Sequence, residues 1–314
     1  MVKLLSEKYK QAKKVTQKPQ EEIQNFWGAL YGSLYTEVDK HITPEYLKTN
    51  LVNLENMFVY RSHMAVTEIA LKELMGKKLL EIGPGAGAHS ALFAKYGAKV
   101  TSADISFKRA FSTQKKFSVL ENIDSECQAI QANAENLPFA DNSFDIIYSN
   151  GVLHHTENTE KAVAEVYRLL KPRGRAVIML YCKSSWHYWV NMLFFVGIVR
   201  GKLFKGKAWL GPASEWGGAE NQVEKNPYTK CYTKKEIKTL FRNFNLFGLR
   251  KAEFYFYLIP IIGRLYRSWQ KKHYGSHPGG NLVYGEPWPI QSPLELNLGR
   301  FIGFAWFITA IKDS

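Results

Sequence analysis

The most constraining stretch is Lys78-Leu79-Leu80-Glu81-Ile82, a short apolar strand that stops at Gly83-Pro84-Gly85-Ala86-Gly87 and is followed by helical spacing from Ser90 to Tyr96. Three glycines in five residues let the backbone turn sharply and approach a ligand without Cβ clashes. A helix starting just beyond them offers unpaired N–H donors to an anionic group. Strand, glycine turn and helix open a βαβ unit, and the pattern continues. Further strands are expected at Ala98 to Ala103, ending in Asp104, then at Cys127 to Gln131, Phe144 to Ser149 and Ala176 to Tyr181, with a helix over Glu160 to Leu170. An acid at the tip of the second strand suits the two hydroxyls of a ribose.

Outside this core the texture changes. Ser6 to Leu74 is polar and helix-friendly, punctuated by Pro19, Gly28, Gly32 and Pro44. Beyond Lys183 the chain turns aromatic and basic, then resumes a helix (Lys234 to Phe241) and two strand-like runs, Leu246 to Tyr257 and Phe301 to Ile311. No internal repeat is evident.

Composition narrows the class. With 314 residues and 46% hydrophobic content the chain can bury a core and is not a disordered one. Its 42 Lys+Arg against 28 Asp+Glu leave a net charge of +14, which admits nucleic acid, an anionic membrane surface or an acidic small molecule without choosing among them. Cys127, Cys182 and Cys231 are far apart with no CxxC or Cys/His cluster, which argues against a disulfide framework and a structural zinc. No metal site is expected. The basic stretch Met1 to Gln20 lacks a signal-peptide core, and the longest apolar run, Trp186 to Val199, is shorter than the roughly 20 residues of a bilayer span. The expectation is a cytoplasmic protein without a transmembrane helix.

The loop alone is ambiguous, since Gly83-x-Gly85-x-x-Ala88 also fits the dinucleotide pattern. The ordered set is more specific. Leu79 to Gly87, Val100 to Asp104, Asn133 to Phe139, Asn142 to Asp145, Ser149 to His155 and Leu169 to Gly174 resemble successive motifs of class I S-adenosylmethionine-dependent methyltransferases, over about Lys77 to Tyr181. Asn25-Phe26-Trp27, Gly32, Tyr60-Arg61 and Met179-Leu180-Tyr181 resemble a bacterial branch with a helical N-terminal cover. The resemblance implies an α/β, Rossmann-like, doubly wound seven-stranded sheet with a reversed last strand. It divides the chain into a cover (1–74), a cofactor-binding core (75–182), a lid or substrate insertion (183–232) and a C-terminal part (233–314) with a second insertion (258–298).

The same resemblance implies site roles. Gly83, Gly85 and Gly87 would face the methionine and ribose of S-adenosylmethionine, Asp104 with Ile105 would meet the ribose, and Glu81 would position the loop or the cofactor ammonium. Asn133 and Ala134 would meet the adenine, although the family usually has an acid where Asn133 stands, and a loop-capping Asn is the alternative. Asn150 would lie near the methyl group, His154 or His155 could be a base, and Tyr181 is a second acceptor-side candidate. The implied activity is methyl transfer to a small-molecule acceptor on oxygen, nitrogen or carbon, lipophilic or natural-product-like in one reading. Two alternatives stay open: a cyclase or lyase on the same fold that consumes S-adenosylmethionine and releases methylthioadenosine, and a non-enzymatic binding protein.

In the aromatic segment, Trp186, Trp189, Val190, Leu193 and Phe194 can share a helical face, with Arg200, Lys202, Lys205 and Lys207 beyond it. A packed lid helix, a cover over an apolar pocket and an interfacial helix touching anionic lipid are the three readings. Nucleic acid is not expected, because no module with spaced stacking aromatics is evident and Asn226-Pro227-Tyr228 stands in the wrong place for an amino-methyltransferase motif. That segment is expected to turn into the helix from Lys234.

Overall fold

A computed structural model describes residues 19–29, 39–206, 209–214 and 226–313. The lysines between positions 3 and 18, Gly32 and Lys207 lie outside the described residues.

The βαβ pattern resolves into a seven-stranded sheet of order β3-β2-β1-β4-β5-β9-β6. Its strands are β1 (Lys78–Ile82), β2 (Lys99–Asp104), β3 (Gln128–Gln131), β4 (Phe144–Asn150), β5 (Leu170–Tyr181), β6 (Asn245–Ala252) and β9 (Ala305–Ile311). β1 to β5 pair in parallel, and the last strand, β9, runs antiparallel between β5 and β6. The expected reversed last strand is therefore present. Side-chain alternation divides the core between the two faces. Leu79 and Val100 pack on one side with Leu47, Leu51 and Phe93. Leu80 and Ile82 pack on the other with Val163, Val166 and Ile237.

The helices that cover these faces begin where the sequence supplies caps. α1 occupies residues 19–29 and α2 spans Pro44–Tyr60, with Thr43 accepting from Tyr46 N–H and Pro44 in the first turn. After a short α3 (Met64–Thr67) come α4 (Ala88–Lys95), α5 (Phe107–Val119) and α6 (Thr159–Leu169), the last capped by Asn158. α7 (Leu210–Ser214) and α8 (Lys234–Leu240) follow, and Thr233 with Glu236 closes a capping box on α8.

The C-terminal region departs from expectation in two places. β6 ends at Ala252, because Glu253 adopts a left-handed backbone (φ 67°) and Phe256–Leu258 closes a 3₁₀ turn, so Glu253 to Tyr257 do not extend the strand. Phe301 and Ile302 end α11 (Pro293–Ile302), whose start is set by the Ser292–Glu295 capping box and Pro293, so β9 starts only at Ala305. Between these lie α9 (Gly263–Tyr274), β7 (Ser276–His277), α10 (Asn281–Tyr284) and β8 (Trp288–Pro289), with β7 and β8 forming a separate two-stranded ribbon.

The aromatic segment is also corrected. His187–Val199 is a π-helix, and its buried side chains recur every four to five residues: His187 and Tyr188, Asn191 and Met192, then Val196. Tyr188, Met192 and Val196 pack with Ala213, leaving Trp189 and Phe194 55% and 57% exposed. The wider winding turns Trp189, Val190 and Phe194 of the expected apolar face outward, while Leu193 packs on the buried cluster and Trp186 against Phe254. Among the described residues no helix is long and apolar enough to cross a membrane.

Candidate active site

The carboxyl ends of β1, β2, β4 and β5 open together where the strand order reverses between β1 and β4, the usual ligand edge of such a sheet. A cavity of about 850 Å³ lies there, lined by Glu81, Gly83, Gly85, Asp104, Asn150 and residues from the C-terminal region. Gly83 (φ 72°) donates its N–H to the Ala103 carbonyl at 2.8 Å, and a Cβ on it would meet Val152 at 2.3 Å. A Cβ on Gly85 (φ 59°) would meet nothing within 4 Å. Gly87 is different from its expected role. It caps α4, does not line the cavity, and its missing side chain lets Thr113 of α5 approach, whose Cα would lie 2.8 Å from a Cβ there.

The acids sit at the ends of their strands as the spacing requires. Asp104 is 3% exposed; its Oδ1 accepts from Ser106 N–H at 2.8 Å, while its buried Oδ2 has no hydrogen-bond partner and lies 3.7 Å from Arg109 Nη1. Burial raises its pKa, and Arg109 holds back part of that rise. Glu81, buried on β1, accepts from the Ser90 hydroxyl, and burial pushes its pKa up to about 8. Ile105, Asn133 and Ala134 line the cavity beside them. Asn133 Oδ1 accepts from Glu135 N–H at 3.0 Å, so its carbonyl oxygen serves the loop turn.

On the other side of the sheet edge, Asn150, His155 and Tyr181 also line the cavity. His154 does not: it is fully buried, with its ring 3.7 Å from that of Tyr181, and burial holds its pKa well below the usual histidine range. His155 Nδ1–H donates to the Tyr228 carbonyl at 2.9 Å, with Thr229 Oγ1 and Asn226 Nδ2 each 3.1 Å away. Burial lowers its pKa to about 4, and the Arg109 charge also lowers it. The expected turn at 226–230 thus anchors a cavity histidine on its way to α8. Trp27 of α1 closes over it, with ring centroids 4.9 Å apart.

The far wall was not foreseen from the sequence. This part of the lining comes from the C-terminal region and consists of residues such as Glu253, Tyr257, Arg267, Tyr284 and Trp288. Behind them Arg61, buried at the C-terminus of α2, donates to Tyr284 Oη at 3.1 Å and to Tyr255 Oη, and lies 3.5 Å from Glu253 Oε1. Burial works against the Arg61 charge, but Tyr255, Tyr284 and Glu253 outweigh it and its pKa is raised. The only sequence signal for this wall was the density of Tyr and Trp between 254 and 288.

Residues 80–178 match the methyltransferase-domain family. The chain is 34% identical over 111 residues to a ubiquinone/menaquinone biosynthesis C-methyltransferase, UbiE, of Haemophilus ducreyi, covering 34% of this chain and 42% of that protein. It is 32% identical over 106 residues to the sterol 4-C-methyltransferase strm-1 of Caenorhabditis elegans, covering 34% and 31%. The chain thus spans less than half the length of these relatives. The fold resembles that of a candidate methyltransferase of Bacillus halodurans C-125, with TM-score 0.50, 16% identity and coverage of 80% of this chain and 99% of that one.

Proposed function

We propose, from the premise that residues 80–178 are a methyltransferase domain of the class I S-adenosylmethionine-dependent kind, that the protein transfers a methyl group to a lipophilic ring compound held against the aromatic far wall. The observation that carries this is one cavity with Glu81, Gly85 and Asp104 on one side and Tyr257, Tyr284 and Trp288 on the other. The cofactor fits the near side on two counts. Asp104 Oδ2 is a buried acceptor that takes no hydrogen bond among the described residues, with Arg109 Nη1 3.7 Å away, and suits ribose hydroxyl donors, while the space beside Gly85 is a cradle that a side chain would fill. The two relatives, named for C-methylation in quinone biosynthesis and of a sterol, support a lipophilic acceptor.

When bound, S-adenosylmethionine supplies a methyl carbon already activated by its sulfonium. The protein's part is alignment and exclusion of water. Glu81 would hold the ammonium, Asp104 the ribose, and Ala134 with the Asn133 loop the adenine. Asn150 and Tyr181 would border the methyl group. His155 donates through Nδ1, so its lone pair is on Nε2, but a pKa of about 4 makes it a weak proton acceptor at neutral pH. We assign it, with His154 behind it, to positioning Tyr181 and the cover. The test is turnover of methyl-labelled S-adenosylmethionine with a sterol and with a prenylated naphthohydroquinone. Label in a ring product with S-adenosylhomocysteine is expected. Methylthioadenosine without an acceptor would replace this reading with the lyase, and binding without turnover of either acceptor would favour the non-enzymatic one.

A peripheral contact with anionic phospholipid accompanies this reading. Trp189 and Phe194 on the π-helix and Leu265 and Trp269 on α9 are exposed, and Asn191 Nδ2 ties the π-helix to the 3₁₀ turn that precedes α9 by donating to the Leu258 carbonyl at 2.9 Å. Leu258 itself lines the cavity, Arg200 caps the π-helix, and Arg264, Lys271 and Lys272 lie on α9. Aromatic side chains beside Lys and Arg suit the headgroup region. Vesicles of phosphatidylglycerol should sediment the protein at low salt and lose it when Trp189 and Phe194 become alanine. Equal sedimentation of parent and variant would remove the contact.

A further inference from the structure

Two buried donors on the far wall have no hydrogen-bond partner among the described residues. Arg267 Nε, from α9, and Trp288 Nε1, from β8, are buried without hydrogen bonds, and both residues line the cavity. Buried donors in folded proteins are nearly always satisfied, and two exceptions on one cavity wall call for an acceptor atom supplied from outside the chain. Both groups are held in place. Arg267 is tied through Nη2 to Glu286, and its guanidinium lies over the rings of Tyr257 and Trp288 at 5.6 and 5.8 Å. Trp288 is stacked on Tyr284, with centroids 3.7 Å apart and planes 22° from parallel.

What such a wall recognises follows from its chemistry. Both orphans donate, so the complementary group is an oxygen with lone pairs. Glu286 already balances the Arg267 charge, so the oxygen need not be anionic. The surrounding surfaces of Tyr257, Tyr284 and Trp288 are flat and apolar, which suits a ring.

We propose that Arg267 and Trp288 form an oxygen-recognising subsite for a planar ring acceptor, gripping its phenol, enol or carbonyl oxygen while the ring lies against the aromatic wall. This rests on the methyl-transfer reading and specifies which acceptors that reading admits. Neither residue falls within the segment shared with the methyltransferase-domain family, residues 80–178.

The test uses a matched pair of probes, 2-naphthol and naphthalene, which differ by one hydroxyl. Each is titrated calorimetrically into the full chain saturated with S-adenosylhomocysteine. The parent should bind 2-naphthol about tenfold or more tightly than naphthalene, as two hydrogen bonds would give. Trp288→Phe, which keeps a ring and loses the donor, and Arg267→Lys, which keeps the charge and loses Nε, should each weaken 2-naphthol about three- to tenfold and leave naphthalene unchanged. Equal affinity of the parent for both probes would overturn the subsite, and so would variants that weaken both probes alike, since that outcome reports packing alone. S-adenosylhomocysteine binding by each variant confirms its fold. Failure of the parent to bind S-adenosylhomocysteine defeats the cofactor reading, whereas normal cofactor binding without a preference for 2-naphthol defeats only the subsite.

Discussion

Gly83 and Val152 approach so closely that a Cβ on Gly83 would stand 2.3 Å from Val152 Cγ2. The contact locks the loop after β1 against the loop after β4, the two segments between which the cavity opens. Gly83→Ala must strain a left-handed backbone and displace Val152 together, a loss of about 2–4 kcal/mol. Gly85→Ala has the same backbone strain but open space, and should lose only about 1 kcal/mol. Urea midpoints of the two variants check this, and equal losses would remove the close approach as the cause.

Burial pushes the Glu81 pKa up to about 8, which favours its protonated form at neutral pH. A ligand ammonium beside it favours the ionised form and lowers that pKa, so binding must release a proton. At pH 7 the apparent enthalpy of S-adenosylhomocysteine binding should therefore differ between phosphate and Tris buffers. Glu81→Gln should abolish the difference. Identical enthalpies for the parent would place the ammonium elsewhere.

Acid should unfold the protein through its buried histidines. Burial lowers His89 to about 3, and His155 and His187 to about 4, below their unfolded value near 6.5. Over that interval the unfolded chain binds more protons than the folded one, so the stability is present above pH 6.5 and is lost as pH falls towards 4. Glu81 has the opposite sign, its raised pKa favouring the fold below pH 4.5 and losing that contribution as pH rises to about 8. For His155 alone the loss between pH 7 and pH 5 is about 2 kcal/mol. A urea titration at both pH values should show a smaller drop for His155→Gln than for the parent.

What could be read from the chain alone was local. Strand, glycine turn and acid tip follow one another with regular spacing, so β1 to β5 and Asp104 followed from periodicity and turn chemistry, whereas Glu81 was picked out by the family resemblance alone. Gly87 and His154 sit inside the same motifs yet face Thr113 and Tyr181, because which side of a loop a residue presents depends on the helix packed behind it. The far wall was legible only as a second insertion, 258–298, with no site residue named in it. Arg267 and Trp288 reach the cavity only through the packing of α9 and the β7–β8 ribbon, long-range contacts that carry no periodic signal. The π-helix misled for the opposite reason, since its buried side chains recur every four to five residues and not at the α-helical spacing the pattern was read with.

The near side of the cavity carries Glu81 and Asp104, acids that suit a cationic cofactor, so the net +14 does not belong to cofactor binding. Basic residues instead flank the exposed aromatic groups of the π-helix and α9.

The most direct measurement is a calorimetric titration of S-adenosylmethionine into the parent and into Asp104→Ala. One site per chain is expected for the parent, with affinity about tenfold or more weaker in the variant as charged hydrogen bonds to the ribose are lost. No binding by the parent, or equal affinity in the two proteins, would contradict the assignment of this cavity to S-adenosylmethionine.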